Sequence, residues 1–592
     1  MATAAISLPK TRGGAFLIED RTPQEVFTPE DLSEEHLAIG RTAEEFWNNE
    51  VEPKIEAIRH QEPGVALRVL RKSAELGLTA IAIPEKFGGI ELDLPSAMIA
   101  VEKLAKDGSY SGWHAAHTGI GTLPILYFGN EQQKAKYLPK FAKAELLAAY
   151  ALTEPQAGSD ALAARTRADL SLDGTHYVLN GQKMWITNGG AADVFTVFAK
   201  VGGDKFTAFI VERAFSGVTS GVEENKMGIK GSSTTAVYFD NVKVPVENVL
   251  GEIGRGHIIA FNILNIGRLK LGPGTVGGAK SILGICLKYA RERKAFGTAI
   301  SSFGMIQHKL AEMAIRIFAS ETMSWRVVGL IEAQLQGFSW DQPDAAKTML
   351  KAVEEYAAEC SMIKVYASEV LDYVVDEGVQ IHGGYGFHQD YAVERAYRDA
   401  RINRIFEGTN EINRLLITGM LLKRAQRGQL GLVQAAQGVM AEILSGASGA
   451  PDSAADEETP LVASAKKIAL MLMGVAYQKH LAELEKQQEV LAGISDVVME
   501  IFAMESVLLR ARRLAELGRG AQAADMAAVF LRDAMSRIEV SSRTVLGACA
   551  EGDALRAHMA VLRRFARFEP VNAIALRHRI AGRLLDALRY VV

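Results

Sequence analysis

Glu407 lies in the run Arg401-Ile402-Asn403-Arg404-Ile405-Phe406-Glu407-Gly408-Thr409-Asn410-Glu411-Ile412, with two apolar residues before it and a glycine after it. A carboxylate that faces an apolar cavity is poorly hydrated, so its pKa rises and it becomes a stronger base. Gly408 can turn the chain at that point. A helix-N-terminal acid or a surface ion pair has the same local sequence, and from spacing alone that is the commoner reading. Four upstream segments offer partners for such a base. Tyr150-Ala151-Leu152-Thr153-Glu154-Pro155-Gln156-Ala157-Gly158-Ser159-Asp160 is an irregular stretch of hydroxyl, amide and glycine groups. It could present backbone N–H donors to a ligand, or serve as a plain connector. In Met184-Trp185-Ile186-Thr187-Asn188-Gly189-Gly190 an indole beside a hydroxyl can stack on a flat heteroaromatic ring and bond to its edge; a core Trp at a strand end reads the same way. Glu292-Arg293-Lys294-Ala295-Phe296-Gly297 pairs cations suited to a pyrophosphate with an aromatic suited to an adenine, or is a solvated charge run. Gln380-Ile381-His382-Gly383-Gly384-Tyr385-Gly386-Phe387 has glycines that suit close backbone approach to a ligand at a helix end.

Other chemistries find no support. Gly119-Ile120-Gly121-Thr122-Leu123-Pro124 lacks the third glycine and the flanking strand of a dinucleotide fingerprint. Gly272-Pro273-Gly274-Thr275-Val276-Gly277-Gly278-Ala279-Lys280-Ser281 has Ala279 where a phosphate loop has glycine. No GxSxG or HExxH is present. His114 and His117 could share a helical face as metal ligands, but no third ligand is near in sequence, so they read as packed or capping histidines and no metal site is expected. Cys286, Cys360 and Cys549 are far apart and form no CxxC pair, which points to a reducing compartment.

These segments need a scaffold of several domains, since 592 residues exceed one ordinary core. A hydrophobic content of 48% with 23% charged residues fits a globular protein, and a net charge of −4 favours neither nucleic acid nor an anionic membrane as partner. Residues 1–29 read as an arm. Residues 30–148 have helical periodicity, with Ser33 a candidate cap and Asn130-Glu131-Gln132-Gln133 opening a helix. Residues 149–255 carry short β-branched and aromatic runs: His176–Ile186 with an Asn180-Gly181 turn, Val194–Lys200, Phe206–Val211 and Thr235–Phe239. Helical periodicity returns over 256–440. Residues 441–460, with SGASGAPDSAADEETP at 445–460, read as a linker, and 461–592 are helical again. The N-terminus has no apolar secretory core and reaches Glu19-Asp20 early. No run of about eighteen apolar residues is seen. A bacterial, cytoplasmic protein is the expectation.

Together, and in this order from about residue 30 to 425, the segments resemble the acyl-CoA dehydrogenases. They are similar to that family's LTEP…GSD loop, WITNG strand, ERxxFG segment, QxxGGxG loop and EGTxE motif. The resemblance implies an α+β fold with an N-terminal helical domain, a middle β-domain and a second helical bundle, here followed by an extra C-terminal helical domain. It implies FAD between the β-domain and the second bundle, and a fatty acyl-CoA lying against the flavin. Glu407 would take the α-proton while the β-hydride passes to the flavin. Backbone N–H and ribityl donors would polarise the thioester carbonyl, with Gly408 allowing the close approach. Some relatives carry their base on an earlier helix, one residue before an arginine; here Gly267 precedes Arg268, which favours Glu407. By the same matching, Tyr150, Leu152, Thr153, Gly158, Ser159, Trp185, Ile186 and Thr187 would hold the flavin. Arg293, Phe296, Gln307, Gln380, Gly383 and Gly384 would hold adenine and pyrophosphate, partly across a subunit interface. Thr409 and Glu411 would also touch FAD. Ser159, Asn265, Arg268 and Gly408 would face the substrate. Ala295 replaces a hydroxyl that some relatives have, so one cofactor hydrogen bond is in doubt.

The C-terminal extension, Gly228-Ile229-Lys230, Val249-Leu250-Gly251-Glu252 and Phe261-Asn262-Ile263-Leu264-Asn265 look closest to the very-long-chain branch. A long-chain substrate, a place in β-oxidation, an electron-transfer flavoprotein as acceptor and a homodimer are the expectation. An acyl-CoA oxidase, a related flavin monooxygenase and a respiratory-complex assembly factor are the alternatives. The Arg-rich helices at 497–516 and 555–590 could rest on a membrane surface, although packing on the main body is the commoner use of that pattern.

Overall fold

The structure is a computed structural model, and it describes residues 8–445 and 456–592. Its first body is helical, from Glu34–Phe46 to Glu131–Ala142. Ser33 Oγ accepts the His36 N–H at 3.2 Å and caps the first of these helices, and Asn130 caps the last in a reciprocal box with Gln133. Both caps supply acceptors to otherwise unpaired first-turn N–H groups.

Of the arm expected over 1–29, the described residues 8–29 are instead packed down. Phe16, Leu17 and Phe27 join the main core, Phe16 edge-on to Phe502 with ring centroids 4.9 Å apart. Three-residue turns such as Ala15–Leu17 place these side chains inward, and burying such large apolar groups holds the segment.

Eight strands form one sheet. Its order runs Val218–Glu223, Thr234–Pro245, His176–Thr187, Arg167–Leu170, Val194–Val201, Lys205–Glu212, Val249–Leu250, and Ala148–Ala151 adds parallel to Val194–Val201. The turn expected at Asn180-Gly181 is not there: His176–Thr187 runs through it as one strand with a bulge. Asn180 spends its amide across the sheet, accepting the Asn241 N–H at 2.9 Å, and Gly181 passes so close to Thr166 that a Cβ would come within 2.5 Å of its Oγ1. A second register shift follows between Lys183 and Ile186, where Trp185 takes φ +57°. Such bulges re-aim side chains at sheet ends.

The second helical body holds Gly256–Glu292, Gly304–Gln334, Ala357–His382 and Asn410–Gln426. Gly256–Glu292 runs unbroken through Pro273 and packs on the helix Leu94–Leu104 of the first body. Gly277 makes that approach possible, since a Cβ there would lie 2.0 Å from the Glu102 carbonyl.

The linker expected over 441–460 is narrower in the described residues. Leu432–Ser445 is helical, and the next helix, Glu458–His480, already includes residues 458–460; residues 446–455 lie outside the described ones. The helices Gln488–Glu516, Ala521–Cys549, Gly552–Phe565 and Ala573–Ala587 complete this last body. The stretch Glu458–Lys486 is long and apolar enough to cross a membrane by length and composition, but it is two-thirds buried against its neighbours. Several arginines of the extension turn inward. Arg510 pairs with Glu321 at 2.6 Å and Glu30 at 2.8 Å, and Arg577 pairs with Glu312 at 2.6 Å. These pairs tie the extension to both the N-terminal segment and the second bundle.

His117 Nδ1 accepts the Ala148 N–H at 3.2 Å while its Nε2 meets the Phe141 carbonyl at 2.9 Å. Burial holds its pKa down at about 4, so it is a neutral packed histidine. Among the described residues no cluster of three metal-ligating side chains occurs.

Replacing Gly277 by Ala pushes a methyl into the Glu102 carbonyl. It should cost about 1–3 kcal/mol, read as a lower midpoint in urea unfolding; an unchanged midpoint would show that the two helices can part freely.

Candidate active site

A cavity of about 2620 Å³ opens between the sheet and the two helical bodies. Glu407 lines it. The residue sits at φ +58°, followed by Gly408 at φ +79°, two successive left-handed residues that lead into the helix Asn410–Gln426. A non-glycine residue in that region is held there by its surroundings. Three side chains do so. Arg268 Nε donates to the Glu407 carbonyl at 3.0 Å, Lys364 Nζ donates to the Gly408 carbonyl at 2.8 Å, and Asn413 Nδ2 donates to the same Gly408 carbonyl at 2.8 Å. Thr409 Oγ1 then accepts the Ile412 N–H and caps the helix.

The carboxylate itself is left unbonded: Glu407 Oε2 is buried without a hydrogen-bond partner. Burial raises its pKa to about 7, and the charges of Arg268 and Lys364 limit the rise. Both cations bind the backbone of the turn, not the carboxylate. Gly267 makes the room. A Cβ on it would lie 2.8 Å from the Glu407 Cδ and Oε2, so the residue that lacks a carboxylate in the sequence is also the one against which the Glu407 carboxylate rests.

Opposite stand the residues of the first two segments. Tyr150 is buried with its hydroxyl unbonded, and burial together with Glu407 raises its pKa. Leu152, Thr153, Gly158, Ser159, Ile186 and Thr187 line the same cavity, and Trp185 exposes 60% of its surface there. Gly158 has nothing within 4 Å of where a Cβ would be. An exposed indole, an orphaned hydroxyl and an open backbone loop in the cavity of an unbonded carboxylate suit a flat, polar-edged ring system, and so fit FAD. Asn265 and Arg268 lie on the cavity wall, joined by a 2.9 Å bond from Arg268 to Asn265 Oδ1.

The remaining expected residues are elsewhere on this chain. Arg293, Phe296, Gln307, Gln380, Gly383 and Gly384 do not line the cavity. Their two segments do meet each other: Arg293 lies over the Tyr385 ring at 5.4 Å. Phe296 is 98% exposed, Gln380, Gly383 and Gly384 are exposed, and Gln307 Nε2 is bonded to the Ser301 carbonyl. Glu411 is exposed in the first turn of its helix, also off the cavity.

Lys364 and Asn413 were not foreseen. Lys364 left a trace, a single charge inside Ser361-Met362-Ile363-Lys364-Val365, which is the pattern of a buried and therefore partnered cation. Asn413 left none, because its role depends on how the turn folds back over its own helix.

The helix–sheet–helix body around a cavity that holds a buried carboxylate suits a flavoprotein, and comparison with known proteins gives its class. The acyl-CoA dehydrogenase N-terminal domain matches residues 33–145, the middle domain 149–242, and two C-terminal domains 254–422 and 464–564. A probable acyl-CoA dehydrogenase of Bacillus subtilis is 47% identical, with all of both chains covered. The very long-chain specific enzyme of Bos taurus is 38% identical over 74% of this chain and 69% of its own length. The crystal structure of an acyl-CoA dehydrogenase from Bacillus anthracis, complexed with FAD, superposes with a TM-score of 0.96 at 48% identity, over 98% of this chain and 100% of that one. The chain belongs to the acyl-CoA dehydrogenase family. It is an FAD-dependent oxidoreductase acting on acyl-CoA.

Gly267→Ala should displace the Glu407 carboxylate while leaving FAD bound. Anaerobic flavin reduction by acyl-CoA should slow roughly 100-fold, the scale of a misplacement of about 1 Å; a wild-type rate would mean that Gly267 does not set the position of a carboxylate the reaction uses.

Proposed function

We propose that the protein dehydrogenates long-chain fatty acyl-CoA to trans-2-enoyl-CoA in β-oxidation, with Glu407 as the base. The observation that carries this reading is the unbonded, buried Glu407 carboxylate, held near neutrality at a turn whose backbone three side chains pin. A base matched to neutral pH abstracts a weakly acidic α-proton better than an ordinary exposed carboxylate. FAD, when bound, supplies the acceptor for the β-hydride. Tyr150, Leu152, Thr153, Gly158, Ser159, Trp185, Ile186, Thr187 and Thr409 wall the flavin side. Ser159, Asn265, Arg268 and Gly408 wall the substrate side. The turn leaves the backbone next to Glu407 able to approach the thioester carbonyl, and donors so placed stabilise the enolate-like charge that develops.

The cavity volume and the likeness to very long-chain enzymes support a long acyl chain. Phe296, Phe387 and Met305, exposed by 98%, 87% and 79%, support a homodimer in which this surface is covered. The adenine side of FAD then draws on Arg293, Phe296, Gln307, Gln380, Gly383 and Gly384 of the second copy. The electrons go to an electron-transfer flavoprotein. Free, buried Cys286, Cys360 and Cys549 fit a cytoplasmic setting.

Anaerobic titration with acyl-CoAs of increasing length tests the reading. Long chains should bleach the flavin, and Glu407→Gln should keep FAD and abolish bleaching; best turnover on butyryl-CoA would overturn the chain-length assignment. Because the base must be ionised, the reduction rate in the free enzyme should rise with pH and level off above about 7. Stability runs the other way. The pKa of Glu407 is raised from 4.5 in the unfolded chain to about 7, so its contribution is fully present below 4.5 and lost as pH rises through 7. Glu407→Gln should therefore be the more stable protein at pH 8, with the gap closing on acidification in denaturant titrations.

A further inference from the structure

The helix Gly256–Glu292 forms a wall of the cavity well beyond Glu407. Gly267, Leu271, Gly274, Gly278, Ile282 and Ile285 all line it, three or four residues apart. That spacing puts them on one face, so the lined space is a groove along the helix. Gly267 marks its near end, because the Glu407 carboxylate rests against it. Lys280 stands on the wall of the same cavity, thirteen residues further on, about 20 Å of helical rise. A long acyl chain has that reach and a butyryl group does not.

Residues 588–590 occupy the far part of this groove. The helix Ala573–Ala587 stops at Leu588, whose left-handed conformation (φ 51°, ψ 28°) turns the following residues aside. Just before that turn, the Leu585 carbonyl accepts a bond from Arg291 at 3.5 Å, close to the end of the long helix. Just after it, the Tyr590 ring lies 5.3 Å from the Lys280 Nζ, eleven positions back along the same helix. The segment therefore runs back along the groove toward Glu407, and Leu588, Arg589 and Tyr590 line the cavity. The Tyr590 hydroxyl donates to Glu321 Oε2 at 3.0 Å, and the residue packs on the main core with Leu588, Val591 and Val592. Lys280 is paired with Glu102 at 2.7 Å and with Glu321, so a charged wall stands at this point. An apolar chain end gains nothing by displacing polar contacts there. The ring over the ammonium is a favourable cation–π contact, and it closes the groove with an aromatic surface.

We propose that the segment Leu588–Tyr590 is the end stop of the acyl groove, and that Tyr590 is the specificity-determining residue that sets the longest chain the enzyme takes. The proposal rests on the long-chain reading above and names what limits it. A chain that ends short of Lys280 does not meet the stop. A longer one must displace Tyr590, at the loss of its bond to Glu321 and its contact with Lys280.

The test measures kcat/KM for saturated acyl-CoAs from butyryl to behenoyl on the FAD-loaded full chain and its variants, with flavin content as the check on folding. Tyr590→Ala should raise the behenoyl-to-palmitoyl ratio of kcat/KM by about tenfold or more, the scale on which a hydrophobic pocket admits or refuses a methylene. Tyr590→Phe keeps the ring and loses only the bond to Glu321, so its ratio should stay near wild type. Tyr590→Trp adds bulk at the same place and should lower the ratio; it serves if the Ala variant folds poorly. A ratio that neither Tyr590→Ala nor Tyr590→Trp moves, or that Tyr590→Phe raises as far as Tyr590→Ala does, overturns the proposal. A wild-type enzyme that is fastest on butyryl-CoA, or whose flavin no acyl-CoA bleaches, defeats the long-chain dehydrogenase reading itself, which is a separate result.

Discussion

The site depends on keeping one carboxylate dry without neutralising it. Glu407 is unbonded at Oε2, and yet Arg268 and Lys364 are both close enough to moderate its pKa. They do so from the far side, through the carbonyls of Glu407 and Gly408. A direct salt bridge would lower the pKa and occupy the carboxylate oxygen. Binding the backbone instead fixes the turn, compensates part of the desolvation, and leaves the carboxylate available. The strained left-handed pair at 407–408 is the geometric consequence, and Asn413 adds a further bond to hold it.

The long helix Gly256–Glu292 carries that arrangement into the rest of the molecule. Along its length it presents Gly267 to the Glu407 carboxylate, Arg268 to the turn, Lys270 to the cavity and Gly277 to the first helical body. The glycines at two of these contacts let backbone and side chains approach closely, at the expense of tolerance to substitution. The extension braces the same framework from outside. Arg510 reaches both Glu30 and Glu321, and Glu321 in turn meets Lys280 on the long helix. The N-terminal segment is drawn into this brace through Glu30 and Phe16, which is why residues 8–29 pack down although their sequence reads as a loose arm.

Much of the architecture was legible because it rests on near neighbours. Ser33 and Asn130 cap helices through bonds to residues three positions away, and β-branched runs such as Val194–Val201 form strands. The local reading failed at Asn180-Gly181, where a turn dipeptide became a bulge because Asn241 and Thr166, distant in sequence, took up its amide and its space. It was also incomplete at the site. Glu407 could be singled out, but by itself it read no better than a surface acid, and only the upstream segments changed that reading.

The residue order by itself thus determined the succession of helical, β and helical bodies, the loop that supplies Tyr150 to Ser159, and Glu407 as the candidate acid, since periodicity, capping and motif order are local properties of a chain. Only the tertiary structure decided that Gly267 makes room for the Glu407 carboxylate, that Lys364 and Asn413 hold its turn, and that Tyr590 covers Lys280 on the cavity wall. It also divided the expected cofactor residues between the cavity and an exposed surface. The reason is physical. A pKa near neutrality, a strained turn and a covered cation all arise from burial by residues far apart in sequence, as with Arg268 and Glu407, 139 positions apart, and burial exists only once the chain has folded.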